Sequence, residues 1–146
     1  FPSSFRYIPG SFVDDDTIIG LDMLAVGPQL HTILLGRKRG FNNLTHNEAA
    51  FHFIYWAFCA NPLHLSCKVS EMDDFTLDLV SNEDLLALNQ DYPAQPPTFE
   101  DAGGGLLIGR RKLSDGRTVT GYFNLADTFV ERDGHYLPPH GAKIVR

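Results

Sequence analysis

The chain has 146 residues, the size of one ordinary domain, and 43% of them are hydrophobic against 21% charged, a balance that excludes a disordered, charge-dominated tail. Its formal net charge of −6 argues against a protein that lives on nucleic acid, because such proteins need a basic surface to displace counterions. No apolar run reaches the roughly 18 residues that a membrane-spanning helix needs, so no membrane partner is expected.

The start, Phe1-Pro2-Ser3-Ser4, has no initiator Met and no signal-peptide pattern; it suggests a cut chain and carries no information on compartment. Ser11–Asp16 is polar and acidic and reads as a loop, with Asp14-Asp15-Asp16 as a solvated triplet. Thr17-Ile18-Ile19 and Leu21–Val26 read as a short strand region broken by Gly20. Gly27–Asn43 contains Gly27, Pro28, Gly36 and Gly40 and predicts a long ordered loop, in which Arg37-Lys38-Arg39 is a solvated basic run.

Thr45-His46-Asn47-Glu48 has the spacing of a capping box, in which Thr45 accepts from the Glu48 N–H and Glu48 reaches back to the Thr45 N–H. The run Ala49–Ala60 is too long for a strand and apolar almost all round, which predicts a helix buried on most faces. Pro62 stops it. Leu63–Val69 then reads as a buried strand with Leu63, Leu65, Cys67 and Val69 on one face. Asp73 or Asp74 can cap a second helix running to Val80, and Ser81 or Asn82 a third over Glu83–Asn89, whose first turn is acidic where the helix dipole favours it.

Pro93, Pro96, Pro97 and Gly103–Gly105 mark a linker over 93–105. Beyond it the texture is β. Leu106–Leu113 and Arg117–Leu125 flank the turn Ser114-Asp115-Gly116; Asp133-Gly134 marks another turn, and a last strand covers Ala142–Val145. The β part is expected to be a separate small layer. Cys59 and Cys67 are too few for a disulfide framework and read as core residues, with a bridge as the alternative. Trp56, in mid-helix, reads as core rather than as a sugar platform, and His52 and His64 as packed or hydrogen-bonded side chains; no His/Cys pair has zinc-site spacing.

Several of these segments carry a resemblance. Asp22-Met23-Leu24-Ala25-Val26-Gly27, Phe53-Ile54-Tyr55-Trp56-Ala57, Ala60-Asn61-Pro62-Leu63 and Leu79-Val80-Ser81-Asn82-Glu83-Asp84-Leu85-Leu86-Ala87-Leu88-Asn89-Gln90-Asp91 resemble, in order, strand seven, the following helix, strand eight and the closing helix of the α-galactosidases (melibiases) of glycoside hydrolase families 27 and 36. Ser114–Val119 with Tyr122–Asp127 resembles the same family's C-terminal antiparallel β-domain. The chain departs from the family upstream of Asp22, where Ile18-Ile19-Gly20-Leu21 replaces Trp-Asn-Asp-Pro.

The resemblance implies a fold of α/β plus β: residues 1–92 as the last βα units of a (β/α)8 TIM barrel, 93–105 as a linker, and 106–146 as a small antiparallel β-domain, a truncated sandwich. It implies a retaining hydrolase of terminal α-galactosides, which needs two carboxyl groups about 5–5.5 Å apart. In the family these follow strands four and six, so they are expected outside this chain, which alone should be inactive. Asp22 is expected to accept hydrogen bonds from sugar hydroxyls, and Met23 to pack on an apolar edge of the ring; the plainer alternative is a capped loop and a core methionine. Asn89-Gln90-Asp91 is expected to tie the closing helix to the β-domain through amide hydrogen bonds. No cofactor or metal is implied. The implied partners are a galactoside or related sugar and either the missing N-terminal barrel portion or an oligomeric partner. Two other readings stand beside this one: a non-catalytic module attached to a carbohydrate enzyme, and a decayed hydrolase with a structural role.

Overall fold

The computed structural model describes Leu24, Val26, Gly27 and residues 44–146. The expectations for Asp14-Asp15-Asp16, the strand at Thr17–Ile19, the loop over 28–43 with Arg37-Lys38-Arg39, and the pair Asp22 and Met23 lie outside the described residues.

Helix α1 spans His46–Phe58 and opens on the predicted capping box: the Glu48 N–H donates to Thr45 Oγ1 at 3.2 Å and the Thr45 N–H to Glu48 Oε2 at 3.0 Å. A 3-10 turn at Val69–Glu71 precedes α2 (Asp74–Val80), capped by Asp73, and α3 (Glu83–Asn89), capped by Asn82. In both caps a side-chain oxygen takes a backbone N–H that the helix cannot satisfy itself, Thr76 to Asp73 Oδ1 and Leu85 to Asn82 Oδ1.

Strands β1 (Thr98–Asp101), β2 (Leu106–Lys112), β3 (Thr118–Asn124) and β6 (Ala142–Val145) form one antiparallel sheet in the order β1-β2-β3-β6. Strands β4 (Val130–Arg132) and β5 (His135–Leu137) form a separate hairpin, turned by Asp133 and Gly134, both at positive φ. Period-two alternation gives the sheet two apolar faces. Val119 and Phe123 of β3 and Leu107 of β2 face the helices, while Leu106 and Ile108 of β2 and Tyr122 of β3 meet Leu137 of the hairpin.

Three expectations are corrected. The β part is not a separate layer: one core cluster joins Phe51, Tyr55 and Phe58 of α1 to Phe123 of the sheet. A helix apolar all round needs cover on several sides, and the sheet supplies one of them. The cross-strand pair Gly109 and Gly121 leaves room for it, since a Cβ at Gly109 would lie 2.5 Å from the Phe58 ring. Second, the stretch 93–105 contains β1, because Phe99 leaves the proline-rich run to join the ring cluster of Tyr55, Phe58 and Phe123. Third, Leu63–Val69 is not a buried strand. Leu65 and Cys67 make only isolated bridges, Leu65 and Val69 are 38% and 66% exposed, and the chain turns into the 3-10 segment at Val69. Upstream, Leu24 and Val26 are wholly buried.

Candidate functional site

Asp22 and Met23 precede Leu24, and the backbone at Leu24 is fixed. Its N–H donates to the His64 carbonyl at 2.9 Å, and its carbonyl accepts from the Ser66 N–H at 3.3 Å and from Ser66 Oγ at 2.8 Å. This makes a parallel bridge between Leu24 and Leu65. Three residues further on, Gly27 has φ +75°, a conformation that favours glycine, and a Cβ there would lie 3.2 Å from Thr76 Cγ2 and 3.4 Å from Cys67 Cβ, a tight fit. The described part of the candidate sugar-contact segment is thus pinned to the stretch 64–67 and to α2.

One further array looks catalytic. His140 Nδ1 lies 2.8 Å from Glu48 Oε1, and its Nε2 lies 2.8 Å from Asp127 Oδ1. Both ring nitrogens are engaged by carboxylates, and Glu48 also closes the capping box through Oε2. The array therefore fastens the start of α1 to the loops around β3 and β5. Asn47 supports it by donating to the Pro139 carbonyl.

The largest surprise is Arg111. Its side chain is wholly buried, on the helix-facing side of β2. Nη1 donates to the carbonyls of Ala57 and Phe58 at the end of α1 and of Leu88 in the last turn of α3, while Nη2 donates to the Asp91 carbonyl. The Phe58 and Leu88 carbonyls lie in the last turns of their helices, where no i+4 N–H follows and the negative end of the dipole sits, while that of Ala57 also accepts from the Ala60 N–H at 3.1 Å. Burial lowers the guanidinium pKa, and the Asp91 carboxylate opposes that shift.

The Asn89–Asp91 expectation holds in modified form. Asn89 donates to the Asn61 carbonyl, beside the end of α1, and the link to the β part is the Asp91 carboxylate, which accepts from the Ser114 N–H at 2.8 Å and Ser114 Oγ at 2.6 Å. Trp56 is buried in the core, as expected. His52 is buried against it, and burial lowers its pKa to about 4; His64 is exposed rather than packed. Cys59 and Cys67 are free, and burial pushes the Cys59 thiol up to about 12. Among the described residues no group of three or more His, Cys, Asp or Glu side chains could hold a metal ion.

No protein-family model matches the chain. It is related in sequence to the α-galactosidases: it is 33% identical over 90 residues to α-galactosidase A of Aspergillus niger and 38% identical over 85 residues to the α-galactosidase of Coffea arabica. These alignments cover 62% and 58% of this chain but only 16% and 22% of those enzymes, so the chain spans about a fifth of their length or less. In fold it is similar to α-galactosidase I from Mortierella vinacea, at a TM-score of 0.70 and 19% identity, covering 86% of this chain and 38% of that one. A family 27 β-L-arabinopyranosidase from Geobacillus stearothermophilus gives a TM-score of 0.73 at 17% identity, covering 86% and 35%.

Proposed function

From its kinship with the α-galactosidases of glycoside hydrolase family 27, of which it corresponds to a C-terminal portion, we propose that this chain is the closing part of a retaining hydrolase of terminal α-galactosides. In this reading residues 1–92 supply the last βα units of a (β/α)8 barrel, 93–105 lead from them into the C-terminal β-domain and give it its edge strand β1, and 106–146 supply the rest of that small antiparallel domain. The parallel bridge between Leu24 and Leu65 carries this reading. Two segments that pair in parallel with a helix between them form a βαβ unit, the repeating piece of such a barrel.

In this reading the nucleophile and the acid/base come from residues beyond this chain, because retention needs two carboxyl groups held about 5–5.5 Å apart across the glycosidic bond. Asp22 holds the sugar. An ionised carboxylate accepts from two adjacent hydroxyls at once, a geometry suited to a sugar's diol. Met23 lays an apolar edge against the ring. The partner of this chain is the rest of the barrel.

The test is hydrolysis of 4-nitrophenyl α-D-galactopyranoside. The 146-residue chain alone should give no turnover above buffer. Joined to the upstream barrel portion it should turn over, and Asp22→Asn should then lower kcat/KM by about 10- to 100-fold. Robust turnover by the chain alone, or an Asp22→Asn enzyme within about twofold of the parent, would sink the proposal.

A further inference from the structure

The carbonyl of Leu24 is held twice by one residue. It accepts from the Ser66 N–H at 3.3 Å and from Ser66 Oγ at 2.8 Å, which occupies both of its lone pairs. Ser66 is half-buried, and among the described residues it is the one side chain that hydrogen-bonds to the Leu24 backbone. On the far side of this point the Leu24 and Val26 side chains are wholly buried, and Gly27 lies close against Cys67 and Thr76.

The two bonds differ in what they fix. The backbone bond, with that from the Leu24 N–H to the His64 carbonyl, sets the parallel register, and any residue except proline at position 66 would keep it. The side-chain bond is the shorter one and requires a hydroxyl at position 66. Register alone therefore does not call for serine. A second bond to the same oxygen restricts the tilt of the Leu24 peptide group about the first. Asp22 is joined to Leu24 by two peptide links, so whatever conformation it takes, its Cα lies within about 7.6 Å of the Leu24 Cα.

We propose that Ser66 is a positioning residue for sugar binding, acting through the Leu24 carbonyl on the segment that carries Asp22. The proposal rests on the reading of Asp22 as a sugar contact and adds the residue that serves it. A carboxylate that accepts from two adjacent hydroxyls has to meet both at about 2.5–3.0 Å, and a misplacement of about 1 Å in such a contact can cost about 100-fold. Losing one of two bonds at Leu24 is a smaller disturbance, and its cost is correspondingly smaller. A purely structural serine would behave differently. It would lower the melting temperature rather than the affinity for sugar, and by the same amount whether or not position 22 carries a carboxylate.

The experiment is a double-mutant cycle in the enzyme joined to its upstream barrel portion, read as KM and kcat on 4-nitrophenyl α-D-galactopyranoside. Ser66→Ala should raise KM by about fivefold, with kcat within about twofold of the parent and a circular-dichroism melt within about 4 °C of it. In the Asp22→Asn background the same change should cost less than about twofold, because the group that Ser66 serves is already disabled. Ser66→Thr keeps the hydroxyl and should restore KM. The idea fails if Ser66→Ala leaves KM unchanged, if its cost is equal in both backgrounds, or if Ser66→Thr is as poor as Ser66→Ala. Each of these results leaves the Asp22 reading standing so long as Asp22→Asn alone is impaired. An unimpaired Asp22→Asn single variant sinks both, so the two failures are told apart by one protein.

Discussion

Arg111 Nη1 donates to the Leu88 carbonyl at 2.9 Å, and the same nitrogen reaches the Ala57 and Phe58 carbonyls, so one strand residue closes the ends of two helices. Removing it leaves buried carbonyls without a donor and a cavity on the sheet. Arg111→Ala should cost about 3–4 kcal/mol in urea unfolding, and Arg111→Lys about 1–2 kcal/mol, because an ammonium brings the charge but not the planar fork. A loss below about 1 kcal/mol for the alanine variant would show that the contacts are incidental.

The glycine pair across β2 and β3 predicts an overpacking effect. A methyl at Gly109 would lie 2.5 Å from Phe58 Cε1 and 2.8 Å from Phe99 Cε1, both in the shared aromatic core. Gly109→Ala should destabilise by about 2–3 kcal/mol, although alanine suits a strand better than glycine elsewhere. Gly109→Ala in a Phe99→Leu background should recover part of the loss, and melting temperatures of the three variants check this.

His52 predicts a pH dependence. Its pKa falls from the ordinary 6.5 to about 4 in the folded chain because burial disfavours the charged ring. Between these values the unfolded chain binds the extra proton and the folded chain does not, so stability rises with pH in that window. This contribution is intact above about 6.5, shrinks as pH falls, and is fully lost near 4; its size is on the order of 3 kcal/mol. His52→Gln should flatten the slope between pH 6.5 and 4.5 in chemical denaturation, and an unchanged slope would assign it to other groups.

Asp91 and Ser114 predict a coupling. The carboxylate takes both the backbone N–H and the hydroxyl of Ser114, joining the end of the helical segment to the β2–β3 turn. A double-mutant cycle with Asp91→Ala and Ser114→Ala should give an interaction energy of about 1 kcal/mol, with additive losses as the contrary result.

The local signals in the sequence were those that act over one turn of chain. Thr45, Asp73 and Asn82 each take a backbone N–H three residues on; spacing named Thr45 outright and narrowed the other two caps to Asp73 or Asp74 and to Ser81 or Asn82. Gly116 in one turn and Asp133-Gly134 in the other supply the positive φ that these turns use. Contacts between distant residues were hidden. His140 meets Glu48 across 92 positions, and nothing near either residue announces the other. Arg111 could have been suspected: in β2 it shares the alternation of Leu107 and Leu113, so a cation sits where an apolar side chain is due. Its two neighbours Arg110 and Lys112 are exposed, so composition alone does not set Arg111 apart from them. The strand Thr98–Asp101 was hidden by the Pro and Gly residues on either side of it, since its pairing depends on Phe99 finding a ring cluster built from elsewhere.

Glu48 divides its two oxygens between unrelated tasks, one for the first turn of α1 and one for His140 on the far side of the chain. A shorter acid or an amide that satisfied the nearby task would fail the remote one. Drift at position 48 is therefore constrained twice over: a replacement would have to be matched by changes both beside Thr45 and around residue 140.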